Sequence, residues 1–325
     1  MRIKQAAAIG LLALTPALTG CLKHTRSVLK TRLPDIVLSA SLDHLLDQVN
    51  QRNQAIQSLT ASSIHITATT GGSRKGEVTE SIKGEVTDYI SFDGYIIIGK
   101  PENISLILKV PYVGSDALHM VSDGKTFKML IPPENCAIVG SDVVTNTAQK
   151  GLYSLRPGVI MDSLIIQGRQ DDRVVAMNQD SRTVPDPKTH KDVIEEPDYD
   201  IEFLSQPDGQ EEEHTLRVIH IGRATLLPYR QDIYNAEGKV ETQAFYSNYR
   251  KFGDIMFPAK IEIQRPLDEL SLTITISKAT FNQKLPDDQF NLEIPPTTAH
   301  ITNMDDPASA SITNPCAVRA PLSTH

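Results

Sequence analysis

The chain has 325 residues, 40% of them hydrophobic and 22% charged, with a formal charge of −8 and no tryptophan. This is ordinary globular usage and excludes disorder throughout, while the acidic excess argues against a nucleic-acid partner and against general adhesion to anionic lipid. A chain of about 300 residues buries roughly three quarters of its unfolded surface, so it needs neither metal nor disulfide to fold, and one large domain or two small ones fit the length.

In chain order, Arg2 and Lys4 make a basic start, Ala6 to Leu18 an apolar run weakened only by Thr15 and Pro16, and Leu18-Thr19-Gly20-Cys21 sets small residues before a cysteine. The run is shorter than the about 20 residues that span a bilayer. Residues 1–20 resemble a bacterial lipoprotein signal peptide; the alternative is an ordinary signal peptide with a cysteine nearby by chance. The resemblance implies export, cleavage before Cys21 and lipid attachment there, with each buried methylene adding about 0.8 kcal/mol of membrane affinity. The expected location is periplasm-facing and anchored to membrane lipid. Leu22 stands where an inner-membrane retention signal would place Asp, which points to the outer membrane.

Residues 21–40 are basic and irregular and read as a lipidated tether. Ser41 then caps an amphipathic helix whose Leu42, Leu45, Leu46, Val49, Ile56 and Leu59 recur at helical spacing, interrupted by Asn53. Its polar face is poor in Lys and Arg, so packing on a sheet fits it better than lying on a membrane. Ile64, Ile66 and Ala68 alternate with polar residues, the period of a half-buried strand. Further short alternating runs follow from Glu77, separated by Asp93-Gly94, Pro101, Pro111, Asp123-Gly124 and Pro132-Pro133. Ile104, Leu106, Leu108 and Val110 share one face, as do Phe127, Met129 and Ile131. Such punctuation without intervening helices predicts an antiparallel meander.

One or two short helices are expected within Val143 to Ile166, around the break Arg156-Pro157-Gly158. Asn178 to Asp198 is polar and proline-bearing and reads as a surface excursion without core. Strands resume over Tyr199–Leu204, Leu216–Ile221, Arg230–Tyr234, Val240–Tyr249, Met256–Gln264 and Leu270–Phe281, where Leu270, Leu272, Ile274 and Ile276 share a face. Residues 297–325, rich in Pro, Ser and Thr, read as a flexible tail. With Cys21 assigned to the anchor, Cys136 and Cys316 are either a disulfide stapling that tail to the body or two free thiols.

The order of these signatures, Gly99-Lys100-Pro101, Val121-Ser122-Asp123-Gly124-Lys125, Leu227-Pro228-Tyr229-Arg230, Phe257-Pro258-Ala259-Lys260-Ile261 and Leu285-Pro286-Asp287-Asp288-Gln289-Phe290, resembles the LolA, LolB and RseB group of periplasmic lipoprotein-handling domains. The resemblance covers residues 41–296. It implies a mainly β fold with helices (α+β): a curved, antiparallel, incomplete β-barrel whose concave apolar face is covered by helices, leaving a cavity for acyl chains. The lining residues on this view are Leu45, Leu46 and Val49 of the helix, with Ile104, Leu106, Leu108, Val110, Phe127, Met129, Ile131, Leu272, Ile274 and Ile276 of the strands. Met120 suits such a lining as well. The alternative is that these side chains meet in a dry, filled core.

Catalysis has little support. The nine histidines show no metal-ligand spacing, and there is no nucleophile elbow or phosphate loop. Asp171-Asp172 and Glu211-Glu212-Glu213 read as solvated loop tips rather than a calcium site. No enzyme activity and no cofactor are expected. Two function classes remain: a carrier or acceptor that binds the acyl chain of a lipid or lipoprotein, and a non-catalytic scaffold or sensor of the RseB type that docks another envelope protein.

Overall fold

The computed structural model describes residues 31–71, 87–142, 155–169, 174–186, 189, 192–205, 213–306, 309 and 316. Residues 1–20, expected as a signal peptide, together with Cys21, residues 143–154 and the acidic run at 211–212, lie outside the described residues. The chain divides into two compact units, residues 1–35 with 181–196, and residues 36–180 with 197–325.

The strands, in chain order, are β1 (Thr31–Arg32), β2 (Ser58–Thr70), β3 (Thr87–Asp88), β4 (Phe92–Gly99), β5 (Asn103–Lys109), β6 (Asp116–Ser122), β7 (Thr126–Ile131) and β8 (Cys136–Ser141). They continue as β9 (Val174–Pro185), β10 (Val193–Ser205), β11 (His214–Gly222), β12 (Leu227–Tyr234), β13 (Val240–Phe252), β14 (Ile255–Arg265), β15 (Leu270–Phe281) and β16 (His300–Asn303). Among the described residues two α-helices accompany them, α1 (Leu42–Ala55) and α2 (Pro157–Leu164).

In the smaller unit, β1 runs parallel to Val193–Ile194 of β10. Arg32 reaches the buried Asp186 at 2.6 Å, and Arg182 pairs with Glu196 at 2.7 Å. The segment read as a surface excursion without core carries parts of two strands, β9 and β10. Its polarity misled because the chain satisfies it internally: ion pairs and strand hydrogen bonds substitute for an apolar core here.

The larger unit is one open sheet that does not close on itself, in the order β10-β11-β12-β13-β14-β15-β2-β4-β5-β6-β7-β8-β16. Two antiparallel meanders, β2 to β8 and β10 to β15, are joined where β15 pairs with β2, with Ile274 opposite Ile66 and Leu272 opposite Ala68. The predicted runs become strands because each alternates on a period of two and ends at a residue that can turn. Gly238 and Gly253 turn two of the hairpins with φ of 70° and 61°. Gly94 has a different role: a Cβ there would lie 2.0 Å from the carbonyl oxygen of Ile107, so only glycine lets β4 and β5 approach at that point.

Ser41 caps α1, its hydroxyl accepting from the His44 amide at 3.3 Å. The helix ends at Ala55, so Leu59, predicted to extend its stripe, belongs to β2. Leu45, Leu46 and Val49 form one buried cluster with Tyr199, Ile201, Phe203, Ile219 and Ile221 of β10 and β11. Asn53, which interrupts the stripe, donates to the Ile166 carbonyl at 2.8 Å and accepts from Lys100. The second helix begins with Pro157, whose missing N–H costs nothing in the first turn.

Two segments read as irregular contain ordered stretches. Within the predicted tether, Thr31–Arg32 is a strand and the Leu38 amide donates to the Arg223 carbonyl at 2.8 Å. Within the predicted flexible tail, β16 pairs in parallel with β8, Met304 is buried, and Cys316 is joined to Cys136 by a disulfide with a Cα–Cα distance of 5.4 Å. Composition misled because His300–Asn303 gains order from the free edge of β8 rather than from its own apolar content. No helix among the described residues is long and apolar enough to cross a membrane.

Candidate functional site

Two apolar cavities open in the larger unit. The first, about 340 Å³, lies over β2, β4, β5, β6 and β7, with Leu155 and Ile160 from the α2 region on the other side. Its walls include Leu106, Leu108, Met120, Met129, Ile131 and Leu272, and Glu134 is the single carboxylate among them. A volume of this size is at the low end of the roughly 300–1,000 Å³ of small-molecule sites. Strand parity sets the walls: alternate residues of β5 and β7 face inward while Thr126 and Lys128 face solvent.

The second cavity, about 290 Å³, lies among α1, α2 and the β13–β14 hairpin. Val49, Ile56, Leu164, Ile165 and Phe257 supply its apolar wall, and Arg52, Asn53, Tyr246, Tyr249 and Asp254 supply polar groups. Tyr249 donates to the Pro228 carbonyl at 2.8 Å, and burial lifts its phenol far above the usual tyrosine range. Burial also lowers the Arg52 guanidinium, whose hydrogen bonds go to the Leu226 carbonyl at 3.3 Å and to Gln48 at 3.4 Å.

The thirteen side chains proposed from sequence divide between void and filled core. Leu106, Leu108, Val110, Met129, Ile131 and Leu272 line the first cavity, and Val49 lines the second. Leu45 and Leu46 are packed in the α1 cluster, while Ile104, Phe127, Ile274 and Ile276 are buried in the main core and line neither cavity. Alternation identifies the inward face and is silent about what covers it. Ile90, Phe92, Ala117 and Leu118 of the first cavity were missed, since Ile90 lies in the connection before β4, Phe92 is the first residue of β4, and the others sit in a strand without clean alternation.

A polar cluster that sequence reading also missed occupies the other face of β10 to β13. The His220 ring bonds Asp200 at 2.6 Å and lies 3.5 Å from Asp232, which Arg230 holds at 2.5 Å. Burial opposes charge on His220, but the two carboxylates outweigh it and raise the imidazole from 6.5 to about 9. Burial likewise opposes charge on Asp232, and the neighbouring His220 and Arg230 hold it below the usual carboxylate range. The signal was present as alternate polar positions, Asp198, Asp200, His220, Arg230 and Asp232, on strands read for their apolar parity. No group of three or more His, Cys, Asp or Glu side chains among the described residues is placed to hold a metal ion.

Comparison with known proteins gives a match over residues 188–294 to a family model described only as an uncharacterized protein. No curated protein matches the chain. Among solved structures, the chain is similar to a LolA superfamily protein from Nitrosomonas europaea, at 13% identity and a TM-score of 0.45, over 78% of this chain and 99% of that one. It is similar also to a DUF1329 family protein from Desulfovibrio piger, at 16% identity and a TM-score of 0.46, over 76% of this chain and 94% of that one.

Proposed function

We propose that this chain is an envelope lipoprotein with a LolA/LolB-like half-barrel that holds the acyl chain of a lipid or lipoprotein, as carrier or acceptor in lipid and lipoprotein trafficking. The observation that carries the reading is the 340 Å³ cavity over β4 to β7, whose walls are almost wholly aliphatic and aromatic. An acyl chain entering it gains about 0.8 kcal/mol for each methylene removed from water. With one carboxylate at its wall, the cavity offers little to a polar substrate. Met120 and Met129 give the wall a pliable surface suited to chains of differing length. On this reading Cys21 carries the lipid anchor, residues 1–20 are removed, and helices cover the concave face of the sheet. Native mass spectrometry of a periplasmically produced Cys21→Ala chain tests it: a mass increment that extraction with organic solvent removes, and that matches an acylated molecule, is expected. A bare polypeptide mass that stays unchanged on adding lipid contradicts the cavity reading.

A second reading, a non-catalytic scaffold or sensor that docks a protein partner, is favoured by one feature. Between β5 and β6, Tyr112 and Val113 are fully or largely exposed, and Tyr112 holds a φ of 66° that glycine would adopt more easily. A bulky ring kept at a strained, solvent-facing position suits a contact surface. Cross-linking from a photoreactive group at residue 112 separates the readings, because the scaffold reading requires a single discrete protein adduct.

A further inference from the structure

The second cavity differs from the first in carrying an unneutralised cation. Arg52 is half-buried in its wall, and among the described residues its only hydrogen bonds are to the neutral Leu226 carbonyl and the Gln48 side chain. Lys100 stands beside the same wall, its ammonium donating to the backbone carbonyl and side-chain oxygen of Asn53, with no carboxylate partner among the described residues. Burial makes both cations harder to keep charged. Asp254 also lines the cleft, but on the exposed turn between β13 and β14. Deeper in the wall, Tyr246 is 4% exposed and its hydroxyl has no hydrogen-bond partner among the described residues. A desolvated cation and an unsatisfied donor in one apolar cleft are costly unless a ligand supplies the missing acceptors.

We propose that this cleft is a separate binding site for a single-chain amphiphile with an anionic head, the head paired with Arg52 and the tail lying along Ile56, Leu164, Ile165 and Phe257. A fatty-acid carboxylate and the phosphate of a lysophospholipid share the required chemistry: two or more acceptor oxygens, a negative charge and one alkyl chain. Arg52 binds either through the parallel N–H donors of its guanidinium, and Tyr246 offers its free O–H to a carbonyl or ester oxygen. The proposal goes beyond acyl-chain binding in the β4–β7 cavity and does not depend on it.

Isothermal titration of the full chain produced with Cys21→Ala tests the proposal, with palmitate, lysophosphatidylglycerol and uncharged hexadecanol as probes. An Ala117→Phe background fills the first cavity, so that binding which remains reports on the second. In that background at least one anionic probe is expected to bind about tenfold or more tightly than hexadecanol, and the tighter of the two identifies the head as carboxylate or phosphate. Arg52→Met is expected to erase this preference and leave hexadecanol unchanged, while Arg52→Lys restores most of it. Tyr246→Phe, which keeps the ring, is expected to weaken the anionic probe several-fold. Equal affinity for charged and uncharged probes overturns the proposal, as does the loss of all binding in the Ala117→Phe chain. The head-group comparison on the Ala117→Phe chain decides the matter even if Arg52→Met fails to fold. Because unsubstituted chain titrated in parallel reports on the first cavity, failure of either site is seen separately.

Discussion

The sheet of the larger unit presents similar aliphatic faces at two places and treats them differently. Over β10 and β11, α1 buries Leu45 and Leu46 against Tyr199, Ile201, Phe203, Ile219 and Ile221, while Val49 at the margin of the cluster borders the second cavity. Over β4 to β7, the described residues that meet the matching face from the other side include Leu155 and Ile160, and a void of about 340 Å³ lies between them. Strand alternation decides which side of a sheet is apolar. Whether that side becomes core or cavity depends on the element that covers it, and among the described residues the α2 helix that faces these strands is eight residues long.

Substitutions sharpen this contrast, in falling order of expected effect. Leu45→Ala empties a fully buried site in the filled cluster, and is expected to cost about 2–5 kcal/mol in urea unfolding. A cost below about 1 kcal/mol would show that α1 is loosely seated. Removing the Cys136–Cys316 bridge, which closes a 180-residue separation, is expected to cost about 2–4 kcal/mol, read as a lower melting temperature of Cys316→Ser or of reduced protein. Equal melting with and without reductant would speak against the bridge.

The polar face gives a pH signature. His220 is raised from 6.5 to about 9, so the folded state binds this proton more tightly than the unfolded state does. Its contribution, on the order of 1–3 kcal/mol, is complete below about pH 6.5 and is lost as pH rises through 9. Stability of the unsubstituted chain should therefore fall more steeply across that window than that of His220→Gln, and parallel curves would remove the Asp200–His220–Asp232 cluster from the account. The smallest expected effect on stability belongs to the void itself. Ala117→Phe adds volume where space exists, so unfolding free energy should change by less than about 1.5 kcal/mol while acyl-chain binding in that cavity is lost. A large destabilisation would mean that the space is needed by the fold and not by a ligand.

Much of this architecture was legible because it is local. The parity of Ile104, Leu106 and Leu108, the cap at Ser41, and the turns at Gly238 and Gly253 follow from a few neighbouring residues. What escaped was set by distant partners. β16 forms because β8 offers it an edge, and β9 and β10 hold polar residues because Asp186 and Glu196 meet arginines. The cavity was half legible for the same reason. Leu106 and Ile104 lie on one strand face at equal spacing, yet only Leu106 looks into the void, and no period of two separates them. Arg52 falls off the apolar stripe of α1 by its spacing, and the fold sets it in a cavity wall.

The most direct test of acyl-chain binding is a crystal structure of the Cys21→Ala chain with a bromine-labelled fatty acid, read from the anomalous signal of the halogen. The account predicts a bromine peak between Leu106, Met120 and Leu272, inside the β4–β7 cavity. Bromine found only on the outer surface, or an empty cavity at saturating ligand, would contradict it.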